Sequence, residues 1–157
     1  MADIVPGPVA GIDCKLYYNS AATRATPTWV EVTKARDVSV PDYGVNAIEA
    51  NSRASLYECF VAGLIKVGLT FTYLHYRGAD TVRDYFTTMI SSRTVEEFAA
   101  MDGGITLVGA RGVKFYGIME KFAYTQDLEG AQVWDASVKP AYEVQTTQME
   151  PTLLIVT

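Results

Sequence analysis

The side chains that could do chemistry are few and lie far apart. The single histidine, His75, sits at the end of "VGLTFTYLHY", on one face of a strand-like alternation. A general base or a metal ligand needs converging partners, and no second histidine exists to supply one. The two cysteines, Cys14 and Cys59, match no zinc spacing and read as two buried thiols. Glu96 with Glu97, and Asp127 with Glu129, are the paired acids, and Asp13 stands among polar neighbours. Paired acids run glycoside chemistry only when held at a set separation across a cleft. Adjacent residues on a strand point to opposite faces, so Glu96 and Glu97 read as solvated surface. No G-x-S-x-G, phosphate loop or H-E-x-x-H occurs. The expectation is a protein that is not an enzyme, with no catalytic, cofactor-binding or metal-binding residues.

The elements that would position a site are mostly strands. The chain of 157 residues is 49% hydrophobic and 20% charged, which suits one folded domain with a sizeable core. "KLYYN" reads as a strand. Trp29, Glu31 and Thr33 alternate with Val30, Val32 and Lys34, and "RDVSV" continues in that style. "PDYG" is a turn, and "VNAIEA" reads as the returning arm of a hairpin. Val67, Leu69, Phe71, Tyr73 and His75 share one strand face, with Gly63 expected to mark that strand's start. "TVEEFAAM" reads as a strand entering the "DGG" turn, and "ITLVG" as its return. In "VKFYGIMEKFAYTQ", Val113, Phe115, Gly117, Met119 and Lys121 alternate with Lys114, Tyr116, Ile118, Glu120 and Phe122. After the turn "DLEGAQ" comes "VWDASVKPAY", in which Pro140 should end the ladder for want of an N–H. "GADTVRDYFTTMISSR" carries a helix: Asp80 is a fitting N-cap, and Val82, Tyr85, Phe86, Met89 and Ile90 form an apolar stripe. Pro6, Gly7, Pro8 and Gly11 make the start an arm.

The sum is a mainly β fold, an antiparallel β-sandwich or barrel with one covering α-helix and extended terminal arms. The expected organisation is a single domain over 1–157. Residues 1–14 form the N-terminal arm, 15–142 the β core with a helix at about 80–92, and 143–157 a C-terminal arm or extra strand. The closing "LLIV" needs a partner, because an exposed run of that kind invites aggregation.

Thirteen basic residues stand against 18 acidic ones, for a net charge of −5. Proteins that grip nucleic acid need cations for the phosphates, so stable binding is not expected. A surface that nucleic acid must pass without sticking would suit this balance. No apolar run approaches the ~20 residues that span a bilayer, so no membrane insertion is expected. The start lacks the pattern of a signal peptide, and synthesis in the cytoplasm is the expectation. Tyrosine is enriched, at ten residues, which suits both sheet faces and subunit contacts.

Several stretches resemble phage major tail proteins of the tail tube type. "LYYNSAATRATPTWVEVTKARDVSV" followed by "VNAIEANSRAS" is similar to their N-terminal part, with Trp29, Val32, Ala35, Asp37, Val38 and Arg53 at the pattern positions. "FVAGLIKVGLTFTY" resembles the central strand, "DTVRDYFTTM" the following helix, and "FAYTQDLEGAQVWDASVKPAY" the closing hairpin. The resemblance spans roughly residues 11–142, and residues 143–157 match nothing in it. It implies a structural subunit of hexameric rings that stack into a hollow tube, related to the inner tubes of contractile injection systems. The implied partners are further copies of itself and other tail proteins, namely tape measure, tail tip and terminator. DNA would pass through the lumen without specific binding, and the location would be the virion tail, with synthesis in a bacterial host. Glu96, Asp127 and Glu129 are the acids that could line the bore. The alternative is a monomeric small-molecule-binding β-barrel. A hydrolase built on paired carboxylates is a third reading, with no activity to attach to it.

Overall fold

The structure is a computed structural model that describes residues 10–21, 25–40, 44–50, 60–126, 128–141 and 152–157. A short 3-10 turn at Gly11–Asp13 leads into β1 (Lys15–Asn19), β2 (Trp29–Glu31), β3 (Ala35–Ser39), β4 (Gly44–Glu49), β5 (Phe60–Lys66) and β6 (Leu69–Leu74). Then come α1 (Thr81–Ser92), β7 (Glu96–Met101), β8 (Arg111–Thr125), β9 (Val133–Pro140) and β10 (Thr152–Ile155). The mainly β expectation, with one helix, holds among the described residues.

The main sheet runs β2-β1-β7-β8-β9-β6-β3, with β10 added beside the start of β8. Its pairs are antiparallel throughout. The outermost strands of this path, β2 and β3, are joined by Val32, Thr33 and Lys34 alone. Three residues reach only about 10 Å, so the sheet must curl until its two edges nearly meet. The link is stitched on both sides. The Val32 N–H donates to the Leu16 carbonyl at 2.8 Å, and the Lys34 carbonyl accepts from the Leu74 N–H at 3.0 Å. The result is an open barrel.

Alternation fills its interior. Leu16 and Tyr18, Phe98, Phe115, Ala136 and Val138, and Leu69, Phe71 and Tyr73 all point inward and are buried. The helix covers this interior as its stripe predicts. Phe86 is fully buried and Met89 nearly so, while Ile90 at the stripe's end is 40% exposed. The Phe86 ring meets Tyr18, Phe71, Tyr73, Phe98 and Phe122 at centroid distances of 5.4 to 6.4 Å. Asp80 caps the helix, accepting the Arg83 N–H at 3.2 Å. Arg93 ends it in a left-handed conformation, φ 55°.

Several expectations need correction. "ITLVG" is not a strand: residues 103–110 form a loop closed by Asp102, whose carboxylate accepts the Arg111 N–H at 2.6 Å. β4 does not fold back on β3 but pairs with β5 in a separate two-stranded sheet. Gly63 therefore lies inside β5, and the inward-facing strand starts at Leu69. In β8 the register moves from Met119↔Val138 to Lys121↔Ser137. Glu120 is thus an extra residue, a β-bulge, and it reverses the alternation beyond it. Phe122 turns inward and stacks on Trp134 at 4.7 Å. Cys14 is exposed rather than buried, because it precedes the first strand. Glu96 and Glu97 are buried, not solvated. Pro140 ends β9 as expected, and the closing apolar run pairs as β10 with Arg111–Lys114. Residues 1–9, the turn residues 41–43, Arg53, Cys59, Asp127 and residues 142–151 lie outside the described residues.

Close packing needs bare backbone at two positions of β8, and at Gly112 a Cβ would lie 2.2 Å from the Ala100 carbonyl oxygen. A Cβ on Gly117 would lie 2.5 Å from a Val138 methyl and 2.8 Å from the Lys139 carbonyl oxygen. Glycine is therefore required where β8 crosses from β7 to β9.

One buried polar cluster ties the closure to the helix. Asp80 accepts Lys34 Nζ at 2.6 Å and the Tyr73 hydroxyl at 2.8 Å. Burial alone would raise the Asp80 carboxyl. The hydrogen bonds from Lys34, Tyr73 and the Arg83 N–H outweigh it and hold the carboxyl below the usual range. Burial pushes the Tyr73 hydroxyl up, and its bond to Asp80 adds to that. The depressed carboxyl contributes stability above its unfolded pKa of ~3.9, lost as pH falls through the folded value. The raised phenol contributes below its unfolded pKa of ~10, lost as pH rises through the folded value. Urea denaturation across pH should show a plateau between these limits. Asp80→Ala should cost about 2–4 kcal/mol at neutral pH and flatten the acid limb. An unchanged acid limb in that variant would contradict the assignment.

Candidate assembly interface

Strand edges and exposed apolar side chains are the features that stand out. β4 is exposed along its whole length. Val45, Ile48, Phe60 and Val61 expose 56%, 53%, 59% and 56% of their surface. Ile48 opposes Val61, while Phe60 opposes Glu49 one residue away, so apolar groups lie on both faces of this ribbon. A two-stranded sheet of this size is marginal in water without packing. Contiguous exposed apolar surface marks an interaction site.

The β3 edge is built differently. Its register breaks between Arg36 and Ser39, and Asp37 adopts φ 51°. The Thr72 hydroxyl donates to the Arg36 carbonyl at 3.2 Å across the break. A bulge of this kind blunts an edge against further pairing. The β4–β5 ribbon has a register shift of its own between Val45 and Ala47, and what sets it apart is the exposed apolar surface on both its faces.

Among the described residues, those singled out for chemistry do not converge. His75 accepts the Trp134 indole N–H at 3.1 Å and packs on Tyr124 at 4.9 Å, as a satisfied sheet histidine does. Glu97 is 3% exposed. It pairs with Lys114 at 3.2 Å and accepts an Asn19 amide N–H at 3.1 Å. The other end of the Asn19 amide accepts the N–H groups of Ala21 and Thr28, each at 2.9 Å. This network anchors the loop after β1 to the sheet. The strand reading correctly separates Glu96 from Glu97, because Glu96 lies on the inner side near Tyr18. The Tyr18 hydroxyl is pushed up first by burial and then by the charges of Asp80 and Glu96. Glu96 is thus too buried to line a bore, whereas Glu129 is exposed. Among the described residues no three His, Cys, Asp or Glu side chains cluster as a metal site, and no helix is long and apolar enough to cross a membrane. The loop over the outer face buries Ala110 against Tyr17, Ala99 and Met101. The Tyr17 hydroxyl accepts the Ile105 N–H at 3.3 Å. No sequence signal announces this second layer, since its partners come from both ends of the chain.

No protein-family model and no curated protein matches the sequence. The fold has counterparts among solved structures. A chain in the tail of an empty gene transfer agent particle, solved with C6 symmetry, superposes with a TM-score of 0.66 at 14% identity, over 88% of this chain and 98% of that one. The SPP1 tail tube subunit gives 0.64 at 16% identity, over 85% and 76%. A chain of the anti-feeding prophage baseplate, six-fold symmetrised, gives 0.56 at 11% identity, over 97% and 99%.

The ribbon's exposure yields a test that separates folding from association. Ile48→Asp should change the stability of dilute protein by no more than about 1 kcal/mol. In sedimentation velocity at high concentration it should remove species larger than the monomer that the parent chain forms. Equal association by the variant and the parent would show that the ribbon is not a contact.

Proposed function

We propose that this chain is the structural subunit of a phage tail tube. Copies associate into hexameric rings, and the rings stack into a hollow tube through which DNA passes without specific binding. The observation that carries this reading is the β4–β5 ribbon, apolar on both faces, on a barrel with the tail-tube fold. The six-fold symmetry of two similar assemblies supports six copies per ring. A contact between two different patches that closes by rotation makes a ring, and a second contact along the axis makes a filament. The net charge of −5 supports passage over binding, because acid facing the bore repels phosphate. Glu129 remains a candidate for that surface. The subunit resides in the virion tail after synthesis in the bacterial host, and tape measure, tip and terminator proteins meet the tube. It performs no catalysis and needs no cofactor or metal.

The small-molecule barrel finds little support in the interior, which Phe71, Tyr73, Phe86, Phe98 and Phe115 fill at 0 to 3% exposure. Negative-stain microscopy of concentrated protein tests the tube directly. Six-fold rings and stacked tubes are expected. A monomer at every concentration and salt tried would defeat the proposal.

A further inference from the structure

Leu128 is completely exposed, at the turn between β8 and β9. No other apolar side chain of the described residues stands so far out. Its neighbours Glu129 and Gly130 are also exposed. At the other end of the barrel a pocket of about 280 Å³ opens to solvent. Val38, Val40, Ala100 and Val113 line it, with Cys14 and Arg111 beside them. Three of these, Val40, Ala100 and Val113, pack on the main core, so the pocket lies at the rim of the barrel, outside its filled interior. It falls just below the ~300–1,000 Å³ of small-molecule sites, yet it accommodates one leucyl side chain.

The knob and the hole belong to one strand. β8 starts at the pocket, with Arg111–Val113, and ends at Thr125, just before the turn that carries Leu128. Its fifteen residues span roughly 45 Å at ~3.3 Å each. Leu128 therefore cannot reach the pocket of its own chain. A knob and a hole on opposite ends of one molecule make a heterologous contact, which builds an open filament when its rotation does not close.

We propose that copies join head to tail through this contact, Leu128 of one copy entering the Val38–Val113 pocket of the next. The charges around it agree. The knob carries Glu129. The pocket carries Lys15 and Arg111 against Asp102, and the Asp102 carboxylate already accepts the Arg111 N–H. Lys15 is held by Glu31 at 3.1 Å, which leaves the exposed Arg111 side chain as the cation nearest an incoming acid. The occupant is thus a second copy of this chain. The contact serves the axial stacking of rings and rests on the tail-tube reading, while the β4–β5 ribbon is left to other contacts.

Cys14 lines the pocket and is exposed, so it reports on the occupant. The full chain carrying L128C is concentrated, oxidised mildly and run on a non-reducing gel. A ladder extending past the dimer is expected, since each copy has one thiol at either end. Adding C14S should abolish the ladder, and adding C59S instead should leave it. No ladder, or a ladder that survives C14S, overturns the contact. Cross-linking that arises only after residues 1–9 are deleted would assign the pocket to that segment and equally overturn it. In microscopy, L128E should give single rings without tubes. Tubes of normal length from L128E would sink the contact while leaving the tail-tube reading intact. The failure of the unaltered chain to form rings or tubes would instead remove the reading on which the contact rests.

Discussion

Three residues, Val32 to Lys34, set the shape of this molecule. They connect the two outermost strands of a seven-strand path, and so they force the sheet to curl. Once curled, the sheet has one inside, and the inward residues of β1, β6, β7, β8 and β9 meet there. The helix covers that interior, and Asp80 fastens the helix cap to the closing link through Lys34. Closure, core and helix are therefore one cooperative arrangement. A buried charge of this kind is stable because Lys34, the Tyr73 hydroxyl and the Arg83 N–H replace the water it has lost.

Closure also decides what is left over. A curled sheet hides most of its edges, and the β3 edge is further blunted by a bulge at Asp37. β4 and β5 do not pair with the barrel strands and form a ribbon of their own. An apolar ribbon is a hazard to a monomer and an asset to a polymer. The same distinction applies to Leu128, a side chain that gains nothing from its position in an isolated copy.

Much of the fold was readable where the physics is local. The helix followed from an N-cap and a 3.6-residue stripe, and its bounds differ from the expected ones by a single residue. The shared face of Leu69, Phe71 and Tyr73 on β6 followed from strict alternation. Nonlocal pairing was not readable. Glu120 breaks the alternation of β8 because two residues there oppose one step on β9, and a single strand's sequence does not reveal its partner's count. "ITLVG" has strand-like residues, but Asp102 and Arg111 close it as a loop. Val156, from the far end of the chain, exchanges hydrogen bonds with Gly109 and Ala110 to hold it. Glu97 is buried because Asn19 and Lys114, on two other strands, solvate it in place of water. The candidate interface was legible only in outline, because the ribbon's exposure depended on which strand β4 would choose.

The central claim is that the β4–β5 ribbon is unsupported in an isolated copy and becomes supported between copies. Amide hydrogen exchange of residues 44–49 and 60–66, compared between dilute and concentrated protein, addresses it directly. The account predicts fast exchange in dilute solution and slowing by orders of magnitude in the assembled material. Equal protection in both states, already matching that of β8, would contradict it.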